Sequence, residues 1–136
     1  VSLIDRDPIM KTDRLTSAIL DFPSGQATFT CSTQLVPYQR VHFFGAKGRI
    51  EIEIPFNMPN DRPTRIFIDD GSDLTGAKIV TETFPACDQY TLQGDDFSRA
   101  VLEGGEVPMP LEESIANMAV IEAVFRSAAS GRSESV

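Results

Sequence analysis

The chain holds a single histidine, His42, in the run Arg40-Val41-His42-Phe43-Phe44. Histidine is the side chain best suited to moving protons near neutral pH. No serine, cysteine or carboxylate stands close to it in a nucleophile signature, so it reads as a structural residue on a strand. One histidine among scattered acids also gives no ligand spacing for a metal, and none is expected. Asp69-Asp70 and Asp95-Asp96 are sequence neighbours, and neighbours point apart on a strand or helix. Paired acid and base action is therefore not specified, and these read as solvated loop or helix-end charges. Cys31 and Cys87 lie far apart with no CxxC and read as reduced thiols. The residues best placed to meet a small molecule are Gln34, Tyr38 and Arg40. There a strand end runs into Leu35-Val36-Pro37-Tyr38 and can deliver polar side chains to a pocket rim.

Neither GxGxxG nor GxxxxGK[ST] occurs, so the chain has no nucleotide cradle of either kind. Gly45-Ala46-Lys47-Gly48 is too short for one and lies between strands.

The elements that must position these residues are mostly strands. From Arg49 to Phe56, Ile50, Ile52, Ile54 and Phe56 alternate with Arg49, Glu51 and Glu53, the period of a sheet with one buried and one accessible face. From about Gln26 to Gln34, Ala27, Phe29 and Cys31 alternate with Thr28, Thr30, Ser32 and Gln34. Leu15–Phe22 precedes it across the turn Pro23-Ser24-Gly25, and Arg40–Phe44 precedes Arg49 across Gly45–Gly48, so two antiparallel hairpins are expected. Ser2–Ile4, Thr64–Ile68 and Lys78–Thr83 are further strands, with exposed loops at Pro59–Pro63 and Asp69–Gly76.

After Cys87 the period turns helical. Tyr90, Phe97, Ala100 and Val101 form one segment that Gly104-Gly105 ends. A second carries Leu111, Ile115, Met118, Ile121, Phe125 and Ala128 as a stripe, with Pro110 at its first turn, Glu112 and Glu113 at its positive end and Gly131 as its stop. The expected fold is α+β: a mainly antiparallel open sheet with the C-terminal helices packed on one face. Its other face would carry Thr28, Thr30, Ser32, Arg49, Glu51 and Glu53, a surface suited to a partner or to water and not to a core. Residues 1–131 form one domain in this reading and 132–136 a flexible tail.

Twenty acidic residues against twelve basic give a net charge of −8 in 136 residues, which disfavours nucleic acid and anionic membrane surfaces as partners. No apolar run approaches the roughly 20 residues that span a bilayer. A soluble protein is expected. The chain opens on Val1 in mid-pattern, as a segment of a longer polypeptide would.

Three segments resemble the C-terminal domain of the Gfo/Idh/MocA family, the glucose-fructose oxidoreductase and inositol dehydrogenase group. They are the hairpin around Leu20-Asp21-Phe22-Pro23-Ser24-Gly25-Gln26-Ala27, the strand pair Val41–Ile52, and Tyr90–Gly105 followed by Ala119–Gly131. In order they cover Asp13 to Gly131. The resemblance implies a fold like the C-terminal domain of glyceraldehyde-3-phosphate dehydrogenase. It also implies a parent enzyme, cytoplasmic, whose N-terminal Rossmann domain binds NAD or NADP and which transfers hydride to or from a sugar, cyclitol or related hydroxy compound.

The family's Glu-Lys-Pro and Asp/His motifs lie upstream of the matched region, so no catalytic residue carries over. On this reading the fragment is inactive and binds no cofactor. Its expected roles are to close the substrate pocket and to form a homo-oligomer. The competing expectation is an autonomous, non-catalytic binding or assembly module that uses the same sheet face.

Overall fold

The computed structural model describes residues 1–136. They divide into two compact units, Val1–Val36 with Pro108–Val136, and Pro37–Val107.

The first unit holds β1 (Ser2–Arg6), β2 (Asp13–Phe22) and β3 (Gly25–Ser32) as an antiparallel sheet in that order. Pairing of Phe22 with Gly25 closes the expected hairpin over Pro23 and Ser24, and pairing continues to Leu15 with Ser32. Between β1 and β2, Asp7 Oδ1 accepts the backbone N–H groups of Ile9 (2.8 Å) and Met10 (2.7 Å). Those bonds, that from Met10 foremost, lower its pKa.

The unit's helix, numbered α2 in chain order, spans Leu111–Ser130. Pro110 stands at its N-cap in extended conformation, and Gly131 ends it in the left-handed region (φ 67°) with its N–H bonded to Ser127 O. The face it buries carries Ala123, Val124 and Ser127. Leu111, Ile115, Met118 and Ile121 of the expected stripe are exposed instead.

The reason is local. α2 is apolar on more than one side, and small Ala123 and Ser127 permit close approach to β1. There the Ser2 N–H donates to Ser127 Oγ (3.1 Å) and Ser2 Oγ donates to the Val124 carbonyl (2.6 Å). Ser127 Oγ in turn donates to the Arg132 carbonyl (2.6 Å), so these buried hydroxyls are satisfied.

The second unit holds β4 (Val41–Gly45), β5 (Gly48–Ile52), β6 (Thr64–Asp69) and β7 (Val80–Phe84), antiparallel in chain order, and helix α1 (Gln89–Glu103). The Asp88 carboxylate caps α1 by accepting the Tyr90 and Thr91 N–H groups (3.0 and 3.3 Å). Gly104 closes it at φ 66°.

The class is the expected α+β with antiparallel strands. The single sheet is corrected to two, of three and four strands. β3 and β4 are separated by Thr33–Arg40, whose Pro37 lacks a ladder donor, and they do not pair. Thr28, Thr30 and Ser32 therefore lie on one sheet, while Arg49 and Glu51, with Glu53 just past β5, lie on the other.

Gly48 begins β5 at φ 154°, and a Cβ there would meet the Asp69 carbonyl oxygen at 2.4 Å. At Gly45, across the same turn, a Cβ would meet its nearest atom at 3.6 Å. Gly48→Ala is expected to cost roughly 1–3 kcal/mol in urea unfolding, well above Gly45→Ala. Equal costs would contradict this geometry.

Candidate functional site

The second unit gathers most of the chain's polar, chemistry-bearing side chains. Antiparallel register puts His42 opposite Glu51, Phe44 opposite Arg49, and Arg49 opposite Asp69. Alternation then places His42, Phe44, Arg49, Glu51, Phe67 and Asp69 on one face, and Val41, Phe43, Ile50, Ile52, Ile66 and Ile68 on the other.

The charged face is a closed set of pairs. Arg40 Nε lies 3.0 Å from Glu51, and Arg49 Nε lies 3.1 Å from Asp69. Arg65 makes a two-point contact with Glu53, including Nε to Oε2 at 2.9 Å. Arg40 Nη1 also donates to the Glu53 carbonyl. Two-point arginine–carboxylate contacts are the stronger kind, and these acids are half-buried or buried. The hydrogen bond from Arg65 holds the Glu53 carboxyl below its usual range against its partial desolvation, with the charges of Arg65 and Arg40 adding to the effect.

Tyr38 and Arg40 are brought together, the guanidinium lying over the ring at 5.4 Å from its centroid. Tyr38 is 74% exposed, so its hydroxyl faces solvent while Arg40 is turned toward the glutamates. Gln34 belongs to the first unit. It lies in the turn after β3, where Ser32 Oγ accepts its N–H (2.9 Å), and its exposed amide reaches Thr33 Oγ1 at 3.4 Å.

On the first unit's sheet, Thr30 Oγ1 and Ser17 Oγ share a hydrogen bond (2.8 Å) and Ser32 Oγ donates to the Arg14 carbonyl (2.6 Å). Thr28 pairs with Ile19 in register. Exposed Leu3 and Ile19 share that face, so it is mixed and not purely polar.

His42 stacks on Phe44 at 5.8 Å, and its Nδ1 lies 3.9 Å from Glu51. Asp69 is engaged by Arg49, and Asp96 by Arg99 three residues on (2.9 Å). Cys31 and Cys87 are exposed free thiols, Cys31 on an edge strand. No three His, Cys, Asp or Glu side chains are close enough to hold a metal. No helix is long and apolar enough to cross a membrane. A cleft of about 460 Å³ in the first unit has a floor of Ala18, Leu20, Val120 and Val124. Its buried polar groups, Ser2 and Ser127, are already bonded. The arrangement can orient a polar molecule but has no group poised for bond-breaking.

Residues 7–136 match the oxidoreductase family's C-terminal alpha/beta domain. The chain belongs to the Gfo/Idh/MocA family.

Two relatives of this C-terminal domain are an uncharacterized oxidoreductase, ORF334, of Rhizobium meliloti and D-xylose 1-dehydrogenase (NADP(+)) 2 of Haloferax volcanii. The first is 44% identical over 133 residues, covering 97% of this chain and 40% of that protein. The second is 34% identical over 124 residues, covering 88% and 35%. The fold is shared with aldose-aldose oxidoreductase of Caulobacter crescentus, solved with glycerol (TM-score 0.77, 22% identity, 99% of this chain and 40% of that one). It is shared too with KijD10, a 3-ketoreductase of Actinomadura kijaniata solved with NADP and TDP-benzene (TM-score 0.79, 20% identity, 92% and 37%). The chain thus spans about two fifths of the length of these proteins.

The pattern missed Arg65, and it read Asp69 as a solvated loop or helix-end charge, whereas Asp69 is buried at the end of β6 and paired with Arg49. Arg65 and Asp69 both lie at odd positions of Thr64–Asp69, the parity that alternation gives to the charged face, so the signal was present. In the Gfo/Idh/MocA domain the depressed Glu53 pKa means that its contribution to stability is complete above its ordinary value, 4.5, and is lost as pH falls through its lower folded value. Glu53→Gln is expected to flatten the fall of the unfolding midpoint below pH 4.5. An unchanged acid limb would show that the pair with Arg65 does not form.

Proposed function

We propose that this domain forms the substrate side and the oligomer contact of an NAD(P)-dependent oxidoreductase acting on a sugar, cyclitol or related hydroxy compound, and that it is inactive alone. The observation that carries the reading is family membership across nearly the whole chain, joined to a length about two fifths that of its relatives. One relative is named for D-xylose and NADP(+), and a structural neighbour was solved with NADP. The residues here do not fit a dinucleotide. There is no glycine-rich turn leading into a helix N-terminus, and the net charge is −8. Cofactor binding and proton transfer accordingly belong to sequence outside this chain, and no chemical step is assigned to these residues.

In this proposal Tyr38 and Arg40, on the second unit, contact substrate, and Gln34, on the first unit, is a separate substrate contact whose amide donors and acceptors suit sugar hydroxyls. The exposed ring offers a flat apolar surface beside a cation already oriented by Glu51 and Glu53. Thr28, Thr30 and Ser32 on one sheet, and Arg49, Glu51 and Glu53 on the other, are the proposed subunit contacts. The second set is already paired within its own sheet, which lowers the desolvation cost of covering it. Such contacts are commonly two-fold. We place the protein in the cytoplasm.

The test is a steady-state assay of the longer polypeptide carrying this domain, with D-xylose, other aldoses and myo-inositol against NADP+ and NAD+. Reduced cofactor should form with at least one of them. Tyr38→Ala, Arg40→Lys and Gln34→Ala should each raise KM severalfold, about the loss of one hydrogen bond of roughly 1 kcal/mol. Unchanged KM for all three variants would remove them as substrate contacts. Sedimentation should give a dimer or larger assembly, and monomer alone at high concentration would remove the proposed contact.

A further inference from the structure

Helix α1 buries none of its side chains, and Tyr90, Phe97 and Val101 along one of its faces are all exposed. Its attachment to the rest of the second unit is polar and sits at one end. Gln89 Nε2 donates to the Phe56 carbonyl (2.9 Å), and the Tyr90 hydroxyl donates to Asn57 Oδ1 (3.2 Å). Phe56 and Asn57 lie in the long connection between β5 and β6, where neither has a strand partner. Their two backbone N–H groups converge on one atom, Gln39 Oε1, at 3.2 and 3.1 Å. At its far end α1 runs into Gly104, in the left-handed region, and Gly105. Residues 85–88, before α1, form no regular structure.

We infer that Gln39 is the centre of a polar clamp that fixes Phe56–Asn57 and, through them, holds the N-terminal turn of α1, making α1 a hinged helix that can swing away when the clamp opens. A helix docked by apolar packing would detach only with partial unfolding of a core. One held by a few exposed hydrogen bonds detaches at far lower cost. A single acceptor serving two adjacent N–H groups makes the loop conformation depend on one side chain. That side chain lies between Tyr38 and Arg40, so the clamp is continuous in sequence with these two proposed substrate contacts, although it stands without them.

Hydrogen–deuterium exchange on the 136-residue chain tests the clamp. Gln39→Leu removes the acceptor and should speed exchange in 89–103 on the order of tenfold, leaving Ile50–Ile52 and Ile66–Ile68 unchanged. Gln39→Glu keeps an acceptor oxygen and should restore wild-type exchange, while Tyr90→Phe should give a smaller rise confined to the helix. The inference is overturned if 89–103 exchanges at the unstructured rate in the wild type. It is equally overturned if Gln39→Leu leaves that segment unchanged, if the strands rise with it, or if Gln39→Glu fails to restore it.

Discussion

Much of the Pro37–Val107 unit depends on the matching of Glu51 and Glu53 with Arg40 and Arg65, and of Arg49 with Asp69 across β5 and β6. β5 pairs with β4 on one side and β6 on the other, so its period of two decides which residues of three strands share a face. A slip of β5 by one residue would carry Arg49, Glu51 and Glu53 to the isoleucine face and leave Arg40, Arg65 and Asp69 without their partners. The charged face is thus a register lock as well as a surface. Its pairs are partly covered, which makes them stronger than free surface pairs and costlier to break.

The opposite face of that sheet has the reverse character. Phe43, Ile50, Val80 and Phe84 are exposed there, and α1, with no buried residue, leaves them uncovered. In the first unit α2 approaches β1 through Ala123 and Ser127, and serine hydroxyls supply the directional contacts where little apolar area is buried. Both units thus leave apolar side chains exposed, in a chain about two fifths the length of its relatives.

The elements were legible because each rests on local rules. The hairpins follow from Pro23–Gly25 and Gly45–Gly48, and the helix ends from Gly104 and Gly131, which take the left-handed conformation that glycine tolerates best. The division into two sheets was not legible, since alternation assigns a residue to a face of its own strand and says nothing about which strands pair. The buried face of α2 was misjudged for a related reason: hydrophobicity favoured Leu111, Ile115, Met118 and Ile121, whereas close approach to β1 selected the small Ala123 and Ser127. Gln39 carried no signal, because an amide accepting from two loop N–H groups 17 and 18 residues away leaves no periodic trace. Arg65 and Asp69 could have been found by extending the parity of Glu51 and Glu53 to the next strand.

In the proposal above, the chain supplies the substrate side of a redox enzyme and not its cofactor site. A fluorescence titration of the 136-residue chain with NADPH tests it most directly. No saturable change is expected at micromolar cofactor, against saturable binding by the longer polypeptide that carries the domain. Saturable, stoichiometric binding by the 136-residue chain itself would contradict it.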